Sequence, residues 1–156
     1  MSIYSYLKKD HENIKNLMDR IKVLGADDSP ERVKLFNQLK EVIIVHSKAE
    51  EKAFYDPLKD YSKTQDEVRH GENEHQETEK LLTDLTDSSL TGEAWFKKFL
   101  VLQESLEHHI EEEERDVFYD AKKVLDGGQA AFMEAAMRTE KQHQEADQTI
   151  VKRPNR

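Results

Sequence analysis

The chain has 156 residues, enough for one domain that buries a core without covalent staples. It has no cysteine, which excludes disulfides, thiolate metal sites, iron–sulfur clusters and a cysteine nucleophile. A formal net charge of −9 argues against a nucleic-acid or anionic-membrane surface, and 5 Gly and 3 Pro beside 37% charged residues point to nearly continuous helix.

In chain order, a first helix is predicted over about residues 2–24, with Tyr4, Leu7, His11, Ile14, Met18 and Ile21 on its core stripe. Gly25-Ala26-Asp27-Asp28 breaks it. Ser29-Pro30-Glu31 reads as the next helix start: Ser as N-cap, Pro where its missing N–H is harmless, an acid in the first turn. The second helix turns Phe36, Leu39, Ile43, His46, Glu50 and Ala53 inward and is expected to stop near Tyr55, ahead of Pro57. Thr64-x-x-Glu67 reads as a capping box for a third helix striped by Val68, Gly71, His75, Thr78, Leu82 and Leu85. After the loop 87–92, with Thr91 as cap, a fourth helix is expected to about Leu125, with Trp95, Phe99, Leu102, Leu106, His109 and Glu113 inward. Asp126-Gly127-Gly128 ends it. A short fifth helix with Phe132, Met133, Ala136 and Met137 as its apolar face follows, and Arg153-Pro154-Asn155-Arg156 is expected to fray. The expected fold is all-α: an up-down-up-down antiparallel four-helix bundle over residues 1–125, with 126–156 a short C-terminal helix and polar tail of the same domain. No apolar run is long enough to span a bilayer, and Met1-Ser2-Ile3-Tyr4-Ser5-Tyr6 leads straight into charges, so a cytoplasmic location is expected.

Two of these stripes carry a histidine and, four residues on, a glutamate where core hydrophobes belong. At about 100° per residue the two side chains leave the same side of the helix, about 6 Å apart along its axis. A carboxylate placed in a core costs several kcal/mol unless it is paired or holds a metal. His11 to His75 spans 64 positions, and His46 to His109 and Glu50 to Glu113 each span 63. The chain therefore reads as two helical hairpins in register, each with one His on its first helix and His-x-x-x-Glu on its second. His11, His46, Glu50, His75, His109 and Glu113 make a mixed nitrogen and oxygen set suited to iron, manganese or zinc, and not to calcium or magnesium. One metal cannot use all six comfortably. Two metals sharing the glutamates can, leaving about one open position each for a small molecule.

Asp10-His11-x-x-Ile14, His46-x-x-x-Glu50-Glu51-x-x-Phe54-Tyr55, Glu74-His75 and His109-x-x-x-Glu113-Glu114 together resemble the hemerythrin-type, or HHE cation-binding, domain over roughly residues 1–125. The resemblance implies a non-haem di-iron centre, two iron ions with bridging carboxylates and an oxo or hydroxo bridge, reached by O₂, NO or peroxide. It further implies an apolar wall for the ligand pocket at Leu106, with Ile43 in the equivalent place before His46. On this reading His11 and His46 serve one iron, His75 and His109 the other, and Glu50 and Glu113 bridge. The chain departs from the family's invertebrate oxygen carriers, which have five histidines: Glu79 and Gly71 flank His75 at four residues, and the second acid comes four rather than five positions after its histidine. That moves the expectation from simple O₂ transport toward the bacterial branch linked to peroxide, NO or iron handling.

Taken singly, His11 reads equally as a satisfied core histidine, and each His-x-x-x-Glu as a surface pair; only the shared register sets them apart. His108 and His70 lie about 100° and 140° off their stripes, which places them in solvent. Glu51 and Glu114 are expected just outside the ligands, where each can accept the second N–H of a histidine. Tyr4, Tyr55 and Tyr119 are expected to pack. A ferritin-like scheme on Glu72-x-x-His75 and Glu140-x-x-His143 leaves four core residues unexplained and ranks lower. The expected function is a non-haem di-iron protein that binds or reacts with a small oxidant or gas. The alternatives are an enzyme that decomposes peroxide or NO, and iron storage. No residue is assigned as catalytic, and nothing in the sequence marks a protein partner.

Overall fold

The structure, a computed structural model, describes residues 2–152 and is helical, with no strand among the described residues. The terminal stretch 153–156, expected to fray, lies outside the described residues. Helix α1 spans Ile3–Leu24. Helix α2, Pro30–Glu50, runs without a break through a π-helical turn, Glu51–Tyr55, into α3, Asp56–Leu58. Helix α4 is Gln65–Thr86. Helix α5, Gly92–Glu112, again continues through a π-helical turn, Glu113–Val117, into α6, Phe118–Val124. Helix α7 is Gly127–Lys152.

Local chemistry accounts for most boundaries. Gly25, at φ 64° and ψ −141°, takes a positive-φ conformation that glycine adopts at little steric cost and so closes α1. Ser29 accepts from the Arg32 N–H at 3.1 Å, with Pro30 in the first turn, as the sequence predicts. Four expectations need correction. Pro57 does not stop the second rod at Tyr55; it sits within α3, because the π turn pairs the Asp56 N–H with the Glu51 carbonyl and shifts the hydrogen-bond register just before it. Thr64 forms no capping box, since its hydroxyl donates instead to the Leu58 carbonyl at 2.7 Å, and Thr91 makes no side-chain cap, the Gly92 N–H going to the Asp28 carboxylate at 3.0 Å. The fifth helix is not short. Its 26 residues start from a reciprocal pair in which Asp126 accepts from the Gln129 N–H at 2.8 Å and Gln129 accepts from the Asp126 N–H at 2.9 Å.

Helix α7 lies along α1, α2 and the first π turn. It buries Ala130, Met133 and Met137, while Phe132, expected on the apolar face, is 75% exposed. The apolar core is split in two. One cluster gathers Ile3, Leu7, Phe54, Tyr55, Val68 and Phe118 with the buried face of α7. The other gathers Ile14, Met18, Leu39, Ile43, Trp95, Phe99 and Leu106. Between them the four long rods present buried polar side chains. No helix among the described residues is long and apolar enough to cross a membrane.

Candidate metal centre

All six residues singled out by the repeat meet in that polar layer, none more than 6% exposed. His11 and His46 stand edge to face with ring centroids 5.2 Å apart, and His75 and His109 repeat the arrangement at 5.0 Å. The two glutamates join the pairs. Glu50 Oε1 lies 3.7 Å from His46 Nε2 and 3.2 Å from His75 Nε2, one histidine of each pair. Glu113 spans the other two, with Oε1 3.3 Å from His11 Nε2 and Oε2 3.7 Å from His109 Nε2.

Each imidazole is held from behind by its own carboxylate. His46 Nδ1 donates to Asp10 at 2.8 Å, His109 to Glu74 at 2.8 Å, His75 to Glu51 at 2.7 Å and His11 to Glu114 at 2.7 Å. Such a bond fixes the ring's orientation and, in the neutral imidazole, leaves the Nε2 lone pair facing inward and raises its basicity as a ligand. The sequence reading anticipated this role for Glu51 and Glu114. It missed Asp10 and Glu74, because each precedes one histidine in the chain and serves another on the next rod. Helix α7 reaches this outer ring through Lys141, whose ammonium lies 2.5 Å from Asp10.

Tyr55 also belongs to the centre. It is fully buried, stacks on His75 with centroids 5.3 Å apart, and donates its hydroxyl to Glu113. The π turn brings it there, since residue 55 follows Glu50 by five, a spacing that an α-helix turns away and a π turn restores to the same face. Sixty-three positions on stands Phe118, so the hydroxyl breaks the internal symmetry. Gly71 makes the room: a Cβ there would lie 2.6 Å from the Tyr55 oxygen. The glycine on a core stripe was the available signal.

Electrostatically the layer is unsatisfied. Burial would push His11 down, but Glu113 and Glu114 outweigh it and hold the imidazole up at about 10. Burial takes His46 down to about 4 despite Asp10. Burial and the neighbouring Glu113 push Glu50 well above the usual carboxylate range, whereas His11 holds Glu113 below it against the cost of burial. Both oxygens of Glu50, one of Glu113 and Nε2 of His11 are buried with no hydrogen-bond partner. Buried unpaired polar atoms are rare and costly, and here they point at one another across the space where cations would sit. His11, His46 and Glu50 offer donor atoms within 4.8 Å of one another, and so do Glu50, His75 and His109, the glutamate being common to both groups. The donor set and its orphaned atoms fit a pair of transition metals.

The remaining candidates fall elsewhere. Ile43 and Leu106 are buried in the apolar cluster beside the centre, and Ile43 also lines a cavity of about 160 Å³ that reaches His75 and Glu51. His70 and His108 are 63% and 65% exposed, as their helical phase predicts. The ferritin-like alternative fails: Glu72 pairs with Lys59 at 2.8 Å, and His143 is 68% exposed.

A family model for the hemerythrin HHE cation binding domain matches residues 2–121. Comparison with curated proteins and with solved structures returned no match.

Proposed function

The chain belongs to the hemerythrin HHE cation-binding family, and from that footing we propose that it is a non-haem di-iron protein that reacts with a small oxidant or gas: O₂, NO or peroxide. His11 and His46 would hold one iron and His75 and His109 the other, with Glu50 and Glu113 as the shared carboxylates, in an up-down-up-down bundle formed by residues 1–125 and braced by the C-terminal helix. What carries the reading is the convergence of these six buried side chains, with both oxygens of Glu50, one of Glu113 and Nε2 of His11 unpartnered. When bound, the metal pair supplies open coordination positions and electrons for a small ligand.

The chain's own residues set the terms. Counting Asp10, Glu51, Glu74 and Glu114 with Glu50 and Glu113, six carboxylates surround four imidazoles. That much negative charge around the centre favours the more highly charged metal state. It supports a centre that reacts with its ligand over one that carries O₂ reversibly, and makes peroxide or NO decomposition the enzymatic alternative. Tyr55 keeps its proton and donates a hydrogen bond to Glu113, which fixes the orientation of that metal-facing carboxylate. The cavity that reaches His75 is lined by Ile43, Ile44 and Leu82 together with the polar Ser47, Lys48 and Glu51, and has room for a small molecule. Iron storage is disfavoured because a closed two-metal cage has little capacity.

Stopped-flow optical spectroscopy tests this. Reduced, iron-loaded protein is mixed separately with O₂, NO and hydrogen peroxide. Rapid loss of the reduced state with at least one of them is expected, with no lasting reversible O₂ adduct. Indifference to all three, with the iron still bound, would overturn the proposal.

A further inference from the structure

The exposed histidine His70, which the buried centre does not use, has carboxylates of its own. On α4 it precedes Glu74 by one turn, and across the groove lies Glu112, the last residue of α5. His70 Nε2 is 3.5 Å from Glu74 Oε2 and 3.6 Å from Glu112 Oε2, and neither contact is a hydrogen bond. Donors sharing a divalent transition ion at about 2.1 Å stand roughly 3.0–3.5 Å apart, so the spacing suits ligands around an ion better than a bonded pair. Glu112 Oε2 is buried with no hydrogen-bond partner, and a second imidazole, His108, stands 3.5 Å from the other oxygen of Glu112.

This outer cluster is tied to the buried one. Glu74 uses Oε1 to orient His109 at 2.8 Å and turns Oε2 to His70, so one carboxylate touches both sites. A cavity of about 80 Å³ joins them, lined by His70, Glu74 and Glu112 outside and by Tyr55, His109 and Glu113 within. Glu113, 1% exposed, closes its inner end. Glu67 and Asp116 complete its wall.

We propose that His70, Glu74 and Glu112 form a peripheral site for a divalent transition metal, through which the buried pair is loaded. The role rests on the two-metal reading above; the outer donors themselves do not. A metal bound outside draws on Glu74 and thereby on the ring of His109, next to the space its successor must enter.

The test titrates metal-free protein with Zn²⁺ by calorimetry and follows anaerobic Fe²⁺ uptake at limiting iron. Wild type is expected to take up two zinc ions tightly and a third more weakly, by roughly tenfold or more. His70→Ala should keep the tight pair, which also shows that it folds, lose the third event, and take up iron several-fold more slowly. Glu112→Gln should behave likewise. A wild type that saturates at two zinc ions, or a His70→Ala protein that loads iron at the wild-type rate, overturns the proposal. Absence of the tight pair from both proteins refutes the two-metal reading instead, and the loading role with it, whatever the weaker event does.

Discussion

Replacing Gly71 with alanine sets two rules against each other. In mid-helix, alanine is favoured over glycine by about 1 kcal/mol, so propensity alone predicts a more stable protein. The structure predicts the reverse. A Cβ at this position meets the Tyr55 hydroxyl at 2.6 Å and two ring carbons at 2.9 and 3.0 Å, and the ring cannot easily retreat, being stacked on His75 and bonded to Glu113. Overpacking of this kind costs about 1–3 kcal/mol. Set against the propensity gain, the net loss is about 1 kcal/mol, which for a chain of this size lowers Tm by about 2–4 °C. Thermal unfolding followed by circular dichroism, on metal-free protein so that metal does not mask the effect, measures it directly. Combining Gly71→Ala with Tyr55→Phe removes the nearest clashing atom and should make the two losses less than additive. A metal-free Gly71→Ala protein as stable as wild type, or more so, would show that the tyrosine is not held where the site requires it.

Three further outcomes follow from the same geometry. Glu114→Gln keeps the shape but weakens the bond that orients His11, so metal affinity should fall by about 10–100-fold in a chelator competition, with the fold retained; unchanged affinity would remove the outer carboxylates from the account of the site. The pH dependence of metal-free protein should be two-sided. His11, raised from 6.5 to about 10, contributes stability that is complete below 6.5 and lost as pH rises through 10. His46, lowered from 6.5 to about 4, contributes stability that is complete above 6.5 and lost as pH falls through 4. Glu50, raised well above the usual carboxylate range, retains a proton that the unfolded chain has lost, so together with His11 it makes the metal-free form lose stability as pH rises above about 6.5. Metal must displace the proton that His11 and Glu50 retain, so the stabilisation that metal confers should grow from pH 6 to 9. A gap in Tm between loaded and metal-free protein that narrows over that range would contradict the protonation pattern.

The sequence made the inner residues legible because a helix repeats its faces regularly. His46 and Glu50, and His109 and Glu113, continue stripes otherwise filled by Leu, Ile and Phe, and the 63-residue register ties one pair to the other. It was silent where regular phase fails. Tyr55 reaches the centre only because a π turn starts at Glu51, and no residue pattern announces that turn. Asp10 and Glu74 act across helices, on His46 and His109, which position along the chain cannot reveal. The length of α7 was underestimated because Gly127-Gly128 reads as an interruption, when Asp126 and Gln129 cap a helix through it. Its apolar face is narrow, with Phe132 outside it, because α7 packs on one side of a core the other rods already enclose.

The most direct measurement is a metal count. Protein reconstituted anaerobically with Fe²⁺, desalted and analysed for metal and protein should hold two irons per chain. Glu50→Ala and Glu113→Ala should each hold one or none and melt at lower temperature than the loaded wild type. A wild-type chain that retains fewer than two transition-metal ions, or glutamate variants that match it in both metal content and Tm, would contradict a bridged pair at the heart of this fold.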